Sequence, residues 1–113
     1  MGQKMQLNQE MMDGQPVLHL KSDRLDAAVV LQFKDFFREI AEKGAQRLIL
    51  DMKDVQFMDS SGLGAVVAAM KSLGPGRKLD LANLTQTVEK VFKLTRMDTV
   101  FKIYPTVDDA IKS

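Results

Sequence analysis

The sequence predicts an α/β fold with one mixed, mostly parallel sheet of about five strands and about four helices, in the order β-β-α-β-α-β-α-β-α. Short apolar runs with the length of strands alternate along the chain with apolar residues at helical spacing. Strands that alternate with helices usually become parallel neighbours joined by right-handed crossovers. The 113 residues suit one domain, spanning 1–113, which can bury most of its apolar surface without covalent crosslinks.

A hairpin and a helix are expected first. Residues Met5–Asn8 alternate between apolar and polar, Asp13-Gly14 marks a turn, and Val17–Leu20 resumes the extended pattern. Asp26 is the expected N-cap of a first helix over residues 27–43. The expected buried face of this helix consists of apolar residues at helical spacing: Val29, Phe33, Phe36, Phe37 and Ile40.

The centre of the chain carries the candidate site. A short strand, Arg47–Asp51, leads to the stretch Phe57–Gly64, with the sequence FMDSSGLG, where an apolar run ends and a helical pattern begins. We expect this second helix to start near Ser60 or Ser61, so both serines lie in its first turn, where Asp59, Ser60 or Ser61 can accept from a free backbone N–H as the N-cap. The residues expected to lead the chain back toward the core just before it are Val55, Phe57 and Met58. Its expected apolar face is Leu63, Val66, Val67, Met70 and Leu73.

The C-terminal third continues the alternation of strand and helix. Lys78–Ala82 is the next expected strand, and Thr85 can cap a third helix. Thr99–Tyr104 is the last expected strand, followed by a short helix that starts near Pro105-Thr106. The residues expected to bury these two helices are Val88, Val91, Phe92 and Thr95 in the third, and Val107, Ala110 and Ile111 in the fourth.

Composition excludes several classes of function. The formal net charge of +1, from 16 basic and 15 acidic residues, gives no electrostatic case for nucleic acid or direct membrane binding. The absence of cysteine excludes a disulfide framework, a thiolate nucleophile and a thiolate metal site. Met1–Asp13 lacks the long apolar core of a signal peptide. We therefore expect a cytoplasmic domain that holds no metal and no cofactor.

The stretch with the two serines suggests a surface switch. In open α/β sheets the functional surface lies beyond the carboxyl ends of the strands, and both Asp23–Asp26 and Asp59–Ser61 are expected there. A phosphate on a first-turn serine would carry a charge of roughly −1.5 to −2 beside the positive end of the helix. Asp59 would oppose that charge, so the two states should differ mainly in surface electrostatics. From the residues alone, simple helix capping by Ser60 stays equally open.

The stretch Phe57–Gly64 resembles the signature of STAS domains of the anti-sigma factor antagonist type. Two further segments support the resemblance. Arg24-Leu25-Asp26 is similar to the family's loop before the first helix, and Val91–Met97 is similar to its third helix and the turn that follows. The resemblance covers almost the whole chain.

The resemblance implies a regulatory binding module and not an enzyme. In the family, the serine after the motif's aspartate is phosphorylated by a partner with a GHKL-type kinase fold, and a PP2C-type phosphatase removes the phosphate; that serine corresponds to Ser60. Unphosphorylated members bind the anti-sigma kinase and free its sigma factor. Asp23-Arg24 stands where relatives commonly have glycine and a small or acidic residue, which changes the charge of the surface and bears on which partner is recognised. We expect a monomer that binds its partner through Asp23, Arg24, Asp26, Asp59, Ser60, Ser61, Gly62 and Leu63.

The sequence leaves three other functions to consider. A constitutive STAS subunit, for example of a lipid-transport complex, would bind its partners regardless of Ser60. A receiver of the response-regulator kind would use Asp51 as phosphate acceptor and Lys102 as counter-ion, but the acidic pair of such a domain is missing. Hydrolysis by Ser60 with His19, the only histidine, is disfavoured because Ser60 lacks the preceding glycine of a nucleophile elbow.

Overall fold

Seven strands and four helices follow one another along residues 5–113, the part of the chain that the computed structural model describes. Residues 1–4 of the predicted 1–113 domain lie outside that part. The strands are β1 (Gln6–Met12), β2 (Gln15–Lys21), β3 (Arg24–Leu25), β4 (Arg47–Asp51), β5 (Phe57–Met58), β6 (Lys78–Ala82) and β7 (Ile103–Tyr104). The helices are α1 (Val30–Ala41), α2 (Ser60–Leu73), α3 (Gln86–Leu94) and α4 (Val107–Lys112), with a 3₁₀ turn at Met97–Thr99.

The main sheet has five strands in the order β1-β2-β4-β6-β7. Only β1 and β2 are antiparallel, and the other neighbours are parallel, which confirms the predicted fold class. Asp13 and Gly14 form the two-residue hairpin loop, and both have positive φ, 54° and 77°, as a type I′ turn requires. Because β2 and β4 are parallel neighbours, the loops that leave their carboxyl ends and lead to α1 and α2 lie at the same end of the sheet.

The core is divided by the sheet into a large and a small half. The large half packs α1, α2 and α3 on one face, with Phe33, Phe37 and Phe92 among its fully buried side chains. The small half lies on the other face, where Val107 and Ala110 of α4 cover the middle of the sheet. This arrangement leaves the N-terminus of α2 at the surface, beyond the carboxyl end of β4.

Three helix starts agree with the sequence. Helix α2 begins at Ser60. Thr85 caps α3 as expected and accepts from Val88 N at 3.4 Å. Helix α4 begins directly after the predicted Pro105-Thr106, and Thr106 is its cap, accepting from Asp109 N at 3.0 Å. The last strand is shorter than predicted, because the chain at Met97–Thr99 first completes a 3₁₀ turn against α3.

Helix α1 differs from the prediction in its first residue, in its N-cap and in the burial of one side chain. It begins at Val30 and not at 27, and its N-cap position, Val29, has no side-chain cap. Asp26 does not cap it because its carboxylate is held by Arg24 and by the backbone N–H of Ala28. Phe36 was expected in the core but is 37% exposed, since it lies on the flank of the buried face.

Candidate functional site

A small second sheet joins the two loops that lead into α1 and α2. Arg24 pairs with Phe57 and Leu25 with Met58 in a parallel ladder between β3 and β5. The ladder continues into the preceding turn, where the carbonyl of Asp23 accepts hydrogen bonds from the backbone N–H of Gln56 and Phe57, at 2.7 and 3.2 Å. Leu25 and Met58 are buried and fix both loops to the core. The two segments predicted to form the site therefore lie side by side.

Asp59 is the N-cap of α2 and also ties it to the neighbouring loop. Its Oδ1 accepts from the backbone N–H of Gly62 at 2.9 Å. Its Oδ2 accepts from the N–H of Ala27 at 3.4 Å, in the turn before α1. The question of which residue caps α2 is thus resolved in favour of Asp59.

Ser60 and Ser61 are the first two residues of α2, and both are exposed. Their hydroxyls make no hydrogen bond within residues 5–113, because Asp59 supplies the cap. The backbone N–H groups of Gly62 and Leu63 bond to Asp59, whereas those of Ser60 and Ser61 have no partner in the described structure. The helix start therefore presents two free hydroxyls and two free backbone donors to solvent.

Gly62 lets α2 approach the β3 loop closely. A Cβ at this position would lie 1.9 Å from the carbonyl oxygen of Leu25 and 2.8 Å from its carbonyl carbon. Real Cβ contacts are never so short, so only glycine fits without a backbone shift. The group that α2 approaches at this point is the backbone carbonyl of Leu25.

An ion pair stiffens the loop before α1. Arg24 contacts Asp26 Oδ2 with Nε at 2.7 Å and with Nη2 at 2.6 Å. The hydrogen bond from Arg24 lowers the pKa of Asp26, and the N–H of Ala28 adds to this effect. The same pair raises the pKa of Arg24. Asp26 and Gly62 are both buried, so they position the site, whereas Asp23, Arg24 and Leu63 retain exposed surface.

Phe57 is an exposed aromatic residue beside the serines. It was expected to point into the core, but half of its surface, 50%, is accessible because Met58 takes the inward direction of the short strand β5. The exposed Ala27 and Ala28 lie in the turn held by Asp59. Phe57, Ala27 and Ala28 thus add apolar surface to the site, beside the polar side chains of its aspartate and serines.

Asp51, the acceptor of the receiver hypothesis, is enclosed. Its carboxylate is 2% exposed and binds His19 Nδ1 at 2.7 Å, Asn83 Nδ2 at 3.0 Å and the N–H of Lys53 at 3.1 Å. Burial raises the pKa of Asp51, but the hydrogen bonds from Asn83, His19 and Lys53 outweigh it and leave the pKa lowered. Lys102 forms no ion pair with Asp51 in the described structure, so the geometry weighs against the receiver.

His19 belongs to the same network and not to the serine site. Its Nε2 contacts Glu10 at 2.8 Å, so both ring nitrogens are engaged by acidic side chains. No hydrogen bond joins His19 to Ser60 within residues 5–113. Among the same residues, no three or more His, Asp or Glu side chains are arranged so that they could hold a metal ion. Across 5–113, no helix is long and apolar enough to cross a membrane.

Known proteins resemble this chain over most of its length. The family model of the STAS domain matches residues 6–110. A Thermotoga maritima protein, provisionally named an anti-sigma factor antagonist, is 35% identical over 77 residues, which cover 67% of this chain and 68% of that protein. The anti-sigma factor antagonist SpoIIAA, in a structure of its unphosphorylated form, superposes with a TM-score of 0.74 at 30% identity, covering 96% of this chain and 93% of SpoIIAA. A structure of the Bacillus cell fate determinant SpoIIAA in the phosphorylated form gives a TM-score of 0.69 at 27% identity, covering 96% and 97%.

Proposed function

The chain belongs to the STAS domain family, and we propose that it acts in the cytoplasm as an anti-sigma factor antagonist whose binding is switched by phosphorylation of Ser60. Its relatives are named for that role, and SpoIIAA exists in phosphorylated and unphosphorylated forms. The proposal rests on the exposure of Ser60 and on its free hydroxyl. Its hydroxyl is exposed and unbonded at the start of α2, while Asp59 and Gly62 on either side are fixed by the fold.

A phosphate on Ser60 fits the helix start without refolding. The Ser60 hydroxyl contributes no hydrogen bond to the described fold, so esterification breaks none. The free N–H groups of Ser60 and Ser61 and the positive end of α2 favour an anion there. Asp59 opposes it, but its two carboxylate oxygens already accept from Gly62 and Ala27. The phosphorylated domain should therefore keep its fold and differ from the unmodified domain mainly in the charge of its surface.

The same phosphate would weaken the binding of a partner docked at this surface. The contact surface we propose consists of Ser60 and Ser61 with the exposed parts of their neighbours: Asp23, Arg24, Ala27, Ala28, Phe57, Asp59 and Leu63. Arg24 is the one basic side chain in that set, and Asp26 already engages it. A phosphate at the interface would thus be desolvated with no free cation among these surface residues to pair with it. Each loss of ~1.4 kcal/mol weakens binding tenfold.

The partner we propose is an anti-sigma factor that is also a serine kinase of the GHKL type, with a PP2C-type phosphatase to restore the unmodified form. The unmodified domain would bind the kinase through Phe57 and the first turn of α2, and the sigma factor would be released. Phosphorylation of Ser60 by the bound kinase would then end the interaction. The kinase is thus both the partner and the enzyme that sets the switch.

Intact-mass measurement after incubation with ATP and a candidate anti-sigma serine kinase of the GHKL type tests the proposal. We expect one phosphate on the wild type and on Ser61→Ala, and none on Ser60→Ala. The phosphoester should survive hydroxylamine, which would cleave an acyl phosphate on Asp51. Phosphate that persists in Ser60→Ala would refute the assignment. An unmodified wild type, with a kinase active on another substrate, would exclude this pair of proteins and favour a constitutive STAS subunit.

A further inference from the structure

The two edge strands of the main sheet, β1 and β7, differ in how they are protected from pairing with another strand. Strand β7 is two residues long, which is too short to template another strand. Strand β1 is seven residues long and pairs with β2 at every position without a bulge. It contains no lysine, arginine or proline, the residues that usually protect an exposed edge, and its single charge, Glu10, contacts His19. Strand β1 therefore offers a regular, unblocked edge.

Exposed apolar side chains lie at this edge. Met11 is 58% exposed and shares its face of the sheet with Leu7, which is buried under α1. Gln32 of α1 accepts a hydrogen bond from the backbone N–H of Met5, at the start of β1. Phe36 follows Gln32 by one helical turn and so lies on the flank of α1 that faces β1. The partial exposure of Phe36 thus occurs above the open edge.

The hairpin loop determines which backbone groups of β1 point outward. A two-residue loop at Asp13-Gly14 makes Met12 and Gln15 a hydrogen-bonded pair. Hydrogen-bonded positions alternate along an antiparallel pair, so the even-numbered residues of β1 bond to β2. The N–H and C=O groups of Leu7, Gln9 and Met11 therefore point away from the sheet.

We propose that β1 pairs with β1 of a second copy of this chain, antiparallel and about a two-fold axis at Gln9. Gln9 then faces Gln9 of the partner, Leu7 faces Met11, and Asn8 faces Glu10. This register uses all seven residues and joins the outward groups as hydrogen-bonded pairs. It keeps residues of one face together and places no like charges opposite each other, whereas a shift that centres Glu10 would set two carboxylates side by side.

The proposed pairing accounts for the exposed residues and leaves the serine site open. Met11 gains an apolar neighbour, Leu7 of the partner, and the two Phe36 side chains lie near the axis, above the joined strands. Helix α1 contacts both β1 and α2, and so it separates the edge from the N-terminus of α2. The pairing replaces the expectation of a monomer and is independent of phosphorylation at Ser60.

Sedimentation equilibrium up to about 1 mM tests the pairing. We expect the average mass of the wild type to rise from 12.7 kDa toward the dimer with concentration. Gln9→Lys should weaken association at least tenfold, because it sets two ammonium groups opposite each other at the axis. Gln86 is exposed in the first turn of α3, so the matched control Gln86→Lys should associate like the wild type.

A cysteine crosslink locates the contact. The chain has no cysteine, so Gln9→Cys and the control Gln86→Cys each carry one thiol. A short bis-maleimide should join two copies of Gln9→Cys and leave Gln86→Cys uncrosslinked. A wild type that stays at 12.7 kDa throughout would overturn the proposal, and so would association that Gln9→Lys leaves unchanged.

Discussion

Gly62→Ala is the substitution that most sharply tests how the site is built. The new methyl group would lie 1.9 Å from the carbonyl oxygen of Leu25. Ordinary van der Waals contact begins at 3.4 Å, so α2 and the β3 loop would have to separate by about 1.5 Å. Both clashing groups are attached to backbone that is held by hydrogen bonds, on one side by the Asp59 cap and on the other by the ladder between β3 and β5. Neither side can yield by a simple rotamer change.

The expected loss of stability follows from that geometry. Overpacking usually costs about 1–3 kcal/mol, and a clash between two rigid backbone segments belongs at the upper end or above. The higher helix propensity of alanine returns at most about 1 kcal/mol. We expect a net loss of about 2 kcal/mol or more in the free energy of unfolding. For a chain of 113 residues, this lowers the melting temperature by roughly 8 °C or more.

Gly64→Ala is the matched control, two residues further along the same helix. A Cβ at Gly64 would meet nothing within 4 Å, so only the propensity effect remains. This variant should gain up to about 1 kcal/mol, or roughly 4 °C. Thermal and urea denaturation followed by circular dichroism measures both variants. A Gly62→Ala domain as stable as Gly64→Ala would refute the close approach of α2 to Leu25.

Two further predictions concern the acidic residues of the site. Because the Arg24 pair lowers the pKa of Asp26, its contribution to stability should be present above about pH 4 and be lost as the pH falls further. The difference in urea midpoint between wild type and Asp26→Asn should therefore shrink below pH 4, and a difference that grows would contradict the ion pair. Asp59→Ala removes the cap of α2 and should cost about 1 kcal/mol, whereas Asp59→Asn, which keeps an acceptor for Gly62, should cost less. Equal urea midpoints for wild type and Asp59→Ala would show that the cap contributes nothing.

The fold and the helix starts could be predicted because they depend on local chemistry. The apolar run at β4, the cap Thr85 and the helix start at Pro105-Thr106 all depend on residues within or next to the elements they define, and the structure confirms them. The ladder between β3 and β5 could not be predicted, because strands of two residues are too short to show a period. The role of Asp26 depended on competition between a cap and an ion pair with Arg24, which spacing alone does not decide.

The exposure of Phe36 and Phe57 was missed for a related reason. Helical spacing places Phe36 near the buried face, but the position of the sheet edge decides how much of the side chain is covered. Phe57 alternates with Met58 in a strand that has only one buried side. In both cases the tertiary neighbours, which lie far away in sequence, determine burial. Both residues then belong to surfaces for which we propose partners.

The role of Ser60 as a switch can be measured through the affinity of the anti-sigma kinase for the domain before and after phosphorylation. Calorimetric titration of the kinase with unmodified domain, with domain phosphorylated at Ser60, and with Ser61→Ala as a control gives the three dissociation constants. We predict similar constants for the unmodified domain and Ser61→Ala, and a constant at least tenfold larger for the phosphorylated domain, equivalent to ~1.4 kcal/mol or more. Equal affinity of the phosphorylated and unmodified forms would contradict the account of Ser60 as the switch.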